Sequence, residues 1–92
     1  MKISVTQEDI SEGKRCNCRE CVVALAAKRA FPGRTPVVGY KSMSLYGGRL
    51  VAVYTLPAEA SRLIAAWENR RKVSPLEFEL PEPIYVEPMA RP

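Results

Sequence analysis

Ile3 and Val5 alternate with polar neighbours, the pattern of an inward pair on a short strand over Lys2–Val5. Thr6 stands three residues before Asp9, an arrangement close to a capping box. It predicts a short helix from Gln7 to Glu12, stopped by Gly13 as a left-handed cap. From Cys21 to Ala30 the chain is alanine-rich and mostly apolar, with good helix propensity. Val22, Leu25 and Ala26 share one face of that helix, Phe31 closes it over the core and Pro32-Gly33 ends it. Val37, Val38 and Tyr40 then lead through Met43, Leu45 and Tyr46 to Gly47-Gly48, and Leu50, Val51, Val53 and Tyr54 follow. Two β-rich runs around Gly-Gly predict a hairpin, because glycine reaches the backbone angles of a tight turn. Ala60, Leu63, Ile64 and Trp67 recur at i, i+3, i+4, i+7 and predict a helix from Ala58 to about Lys72, broken by Ser74-Pro75. Leu76, Phe78 and Leu80 alternate with Glu77 and Glu79, a half-buried strand with a charged outer face.

These elements predict an α+β fold: a small antiparallel or mixed sheet of about four strands, with two main helices on one face and a short N-terminal helix. The unit from Val37 to Trp67 is expected to supply most of the core. Residues 1–80 form a single domain. Residues 81–92 contain Pro81, Pro83, Pro88 and Pro92 and read as an extended, solvated tail, with docking through Ile84, Tyr85, Val86 and Met89 as the alternative. A chain of 92 residues suits one domain. No apolar run approaches the ~20 residues of a membrane span, and the start lacks a signal-peptide core. A soluble protein with no membrane partner is expected.

Charge changes the picture by its position. Residues 1–12 hold one Lys against three acids, and residues 73–92 one Arg against four. Residues 13–72 hold twelve Lys/Arg against Glu20, Glu59 and Glu68. A basic middle between acidic ends suits contact with a phosphate backbone or an acidic protein groove. Lys28, Arg29, Arg34, Lys41, Arg49, Arg70, Arg71 and Lys72 are the candidate contacts, as phosphate or carboxylate partners rather than base readers. Tyr40, Tyr46 and Tyr54, interleaved with Lys41 and Arg49, fit either base stacking or simple strand packing.

Catalysis is not expected. The chain has no histidine, so the common imidazole base is missing, and Ser42, Ser44 and Ser61 have no evident activating partner. Cys16, Cys18 and Cys21 lie within six residues. A structural zinc site wants four ligands, and the fourth here would have to be a carboxylate or come from another chain. A redox Cys18-x-x-Cys21 pair with lowered pKa values beside Lys14, Arg15 and Arg19 is a second reading. The preferred one makes one or two of the cysteines small buried apolar residues at the start of a helix, with no metal and no cofactor.

The opening Ile3-Ser4-Val5-Thr6-Gln7-Glu8-Asp9-Ile10, Gly13 and Cys18-x-x-Cys21-Val22-Val23-Ala24-Leu25-Ala26 resemble the start of small phage-encoded proteins. Leu56-Pro57-Ala58-Glu59-Ala60 and Ser74-Pro75-Leu76-Glu77-Phe78-Glu79-Leu80 are similar to their ends. Within that group the chain most resembles the anti-CRISPR inhibitors of type I-F surveillance complexes. The resemblance implies a non-enzymatic protein of the bacterial host cytoplasm. It would bind CRISPR-Cas surveillance proteins, with guide RNA as a further contact and no small-molecule substrate, and block target DNA recognition. The alternative is a small phage nucleic-acid-binding or regulatory protein acting directly on DNA or RNA.

Overall fold

The computed structural model describes residues 1–88. Their order is β1 (Lys2–Val5), α1 (Gln7–Glu12), α2 (Val22–Ala30), β2 (Thr35–Val38), β3 (Ser42–Gly47), β4 (Leu50–Thr55), α3 (Ala58–Glu68), β5 (Leu76–Glu79) and β6 (Tyr85–Pro88). The class is α+β. Four strands pair antiparallel in the order β2-β3-β4-β6, while β1 and β5 form a separate antiparallel pair. Alternation places Ile3 opposite Phe78 in that pair, and both side chains are buried. In the larger sheet Val38, Met43 and Tyr54 align across three strands, as do Pro36, Leu45 and Ala52. All six are buried.

The unit from Val37 to Trp67 supplies eleven of the 21 buried hydrophobic residues among those described, and the helix with the most neighbours is α2. Val22, Val23, Ala24, Ala26 and Ala27 are all buried, so the buried surface is far wider than one stripe, and Leu25, expected inside, is only half-buried. The cause is the number of neighbours: β1, β2, α1 and α3 all pack on this one helix. Alanine and valine keep its radius small enough for such close approach. Helix α3 follows its predicted face, with Ala60, Leu63, Ile64 and Trp67 buried.

Trp67 ties α1 to α3. Its indole N–H donates to the Ile10 carbonyl at 3.1 Å, and its ring lies against Gly13, where a Cβ would come within 2.8 Å of Cζ2. Gly13 is therefore not the left-handed cap expected, since its φ is −61°; glycine is present for room. The capping box itself is formed. Asp9 N–H donates to Thr6 Oγ1 at 3.2 Å, and Thr6 N–H to the Asp9 carboxylate at 2.8 Å.

Three boundaries differ from expectation. The apolar run from Val37 to Tyr46 is two strands, because Gly39-Tyr40-Lys41 turns the chain between β2 and β3. The β3–β4 turn is Gly48-Arg49, enclosed by the Gly47–Leu50 pair, with Gly48 at φ +59°. Helix α3 stops at Glu68 instead of Lys72. Arg70 adopts the left-handed conformation (φ 60°), and Arg71 N–H reaches back to the Ala66 carbonyl at 2.9 Å, a Schellman-type closure. The tail departs most: Tyr85–Pro88 pairs along β4 as an edge strand. Met89 and the last proline lie outside the described residues.

Candidate functional site: the cationic surface and the cysteine loop

The fold divides the basic middle of the chain into several places. Lys28 and Arg29 are adjacent on the last turn of α2, with opposite fates. Arg29 folds inward, donating to both Asp9 oxygens at 2.8 and 2.7 Å and to the Ser4 carbonyl at 3.0 Å. Burial alone would raise the Asp9 carboxyl pKa. The hydrogen bonds from Arg29 and Thr6, with the Arg29 charge, outweigh that and hold it below its ordinary value. The same bonds raise the Arg29 pKa. Lys28 stays exposed and makes no ion pair among the described residues.

Arg34 and Arg49 belong to one end of the sheet. The Arg34 stem lies against Gly47, where a Cβ would be 2.8 Å from Cδ, and Arg49 is in the adjoining turn. Lys41 is at the opposite end, in the β2–β3 turn, where its carbonyl accepts Leu56 N–H at 2.9 Å. It shares a groove with Arg62, a cation not among the predicted contacts. Arg70, Arg71 and Lys72 follow α3 in the Schellman turn and are all exposed. The three tyrosines do not share a face: Tyr54 is buried, Tyr40 is exposed in a turn and Tyr46 is exposed on β3.

Half of the ten acidic groups are occupied within the molecule, Glu79 by the N-terminal amine, while Glu8, Glu12, Glu59, Glu82 and Glu87 form no salt bridge among the described residues. Asp9 takes Arg29, Glu20 takes Lys14 and Glu77 takes Lys2. Glu68 accepts the Cys16 N–H at 3.1 Å. Arg15 is held as well: its Nε donates to the Trp67 carbonyl at 2.8 Å, and its guanidinium sits 4.8 Å from the Trp67 ring centroid. By contrast Lys28, Arg34, Lys41, Arg49, Arg70, Arg71 and Lys72 form no salt bridge among the described residues.

The cysteines line a separate cavity of about 270 Å³ with Tyr40, Ile64 and Glu68. Cys16 and Cys18 are exposed, Cys21 is buried, and all three are free. Burial raises the Cys21 pKa, and the nearby Glu68 and Cys18 raise it further against its bonds from the α2 backbone. The lowered pKa expected from flanking cations is thus reversed at Cys21 by its burial. Among the described residues no three His, Cys, Asp or Glu side chains are placed to hold a metal ion.

No protein-family model, curated protein or solved structure matches this chain.

Proposed function

We propose that the protein is a phage-encoded anti-CRISPR inhibitor: a non-catalytic protein that binds a type I-F surveillance complex and blocks target DNA recognition. The observation that carries this reading is that seven predicted contact cations form no salt bridge among the described residues. Fixed, unpaired cations suit a polyanion, because each contact with a phosphate releases a condensed counterion. A guide-RNA backbone and acidic surfaces of Cas subunits supply such partners. Arg70 adds support. The left-handed turn at Arg70 ends α3 there and leaves Arg70, Arg71 and Lys72 together on the exposed surface.

The test is co-elution of tagged protein with purified type I-F complex, followed by a gel shift with cognate target DNA. Stable co-elution and loss of the target shift are expected, with weak binding to free DNA. Tight, steeply salt-dependent binding to naked nucleic acid without capture of the complex would instead establish a small phage protein acting directly on DNA or RNA.

A further inference from the structure

Between the β2–β3 turn and the start of α3 lies an open groove of about 380 Å³ lined by Lys41, Thr55, Leu56, Ala58, Ser61 and Arg62. Exposed Ala58 and the aliphatic stems of the two cations make its surface apolar, over buried Leu56. The backbone beneath is fixed: Leu56 N–H donates to the Lys41 carbonyl, and Ala60 and Ser61 N–H donate to the Pro57 carbonyl at 3.0 and 3.1 Å. Neither Lys41 nor Arg62 has a carboxylate partner among the described residues. An apolar floor between two unneutralised cations is complementary to an apolar side chain flanked by negative charge.

We infer that this groove is a docking site for an acidic peptide segment, with an aliphatic side chain seated on Ala58 between the stems of Lys41 and Arg62 and its carboxylates meeting the two charged ends. The charge balance selects a peptide over a nucleic acid. A strand of nucleotides needs aromatic platforms for its bases and a continuous track of cations for its phosphates. No aromatic residue lines this groove, and its cations number two. The site does not depend on the surveillance complex being the target, since it rests on groove chemistry alone.

The experiment uses the full chain, labelled with ¹⁵N, and an acetylated, fluorescein-labelled Glu-Glu-Leu-Glu-Glu peptide followed by anisotropy and amide shifts. Saturable binding with a Kd below about 1 mM is expected, with shifts centred on residues 41, 55–58, 61 and 62. Replacing the peptide leucine by serine should weaken binding about tenfold through loss of apolar burial. Reversing both rim charges (K41E with R62E) should weaken it by at least about tenfold, and neutralising them (K41Q with R62Q) should weaken it less. Both changes are at exposed positions, and circular dichroism checks that each variant is folded. Absence of saturation, shifts centred elsewhere, indifference to the leucine or the rim charges, or tighter binding of a short oligothymidine at the same residues would each overturn the proposal.

Discussion

Asp9 concentrates three interactions on one carboxylate: the capping box of α1, the bidentate Arg29 contact, and burial to 3% exposure. Breaking a fully buried ion pair costs roughly 3–5 kcal/mol. The Arg29 side chain keeps 52% exposure, so Asp9→Asn is expected to cost about 2 kcal/mol in urea unfolding at pH 7. The pH dependence follows from the lowered Asp9 pKa. The fold favours the charged form, so this stabilisation is complete above the unfolded value of about 4 and drains as pH falls through the lower folded value. Wild-type and D9N curves should therefore begin to draw together as pH falls below ~4 and meet only below the lowered folded value. Gly13 makes a different prediction at the same scale. Its backbone accepts alanine (φ −61°), but the added methyl would press on Trp67 and on the Asp9 carbonyl, 2.9 Å away. Gly13→Ala should cost about 1–3 kcal/mol by overpacking and shift the fluorescence of Trp67, the only tryptophan.

At the scale of elements, β6 is the least anchored strand. None of its four residues is buried, although it pairs with β4 along its length. Amides in β6 should exchange orders of magnitude faster than those of β3, which lies between two strands and buries Met43 and Leu45. The absence of burial is also why β6 was not legible in the sequence: its residues carry no period-two contrast to read, and the flanking prolines signal a tail. Strand β2 was obscured for the opposite reason, as an apolar run continuous with β3 until Gly39 bends it away. Strong periodicity made α3, β1 and β5 readable, whereas α2 was too uniformly apolar for its packing face to be assigned. The α3 terminus depended on Arg70 entering a conformation that no propensity favours for arginine. Glycine would fill that position with less strain, so Arg70→Gly should raise stability by about 0.5–1 kcal/mol in thermal unfolding while weakening the binding proposed above.

For the whole molecule, the question is which cations are available to a partner, and composition alone does not answer it. Lys28 and Arg29 are neighbours in sequence, equal in charge and both predicted as contacts. Only the fold separates them, because Arg29 points toward α1 and β1 while Lys28 stays free. The separation yields a paired prediction. Lys28→Glu should leave the melting temperature nearly unchanged, as exposed charge changes away from partners usually do. Arg29→Glu sets a second carboxylate against buried Asp9 and should lower stability by more than the roughly 2 kcal/mol of Asp9→Asn, the exposure of the Arg29 side chain keeping it below a fully buried-pair loss. Reversing Lys28 together with Arg70, Arg71 and Lys72 takes the formal charge from +4 to −4, two units per residue. If those four side chains meet phosphates, the slope of log binding constant against log salt should fall by about 0.7 per lost contact with single-stranded RNA. Circular dichroism should meanwhile report the same fold. An unaltered slope in the folded quadruple variant would remove these residues from the interface and turn attention to Arg34 and Arg49 at the other end of the sheet.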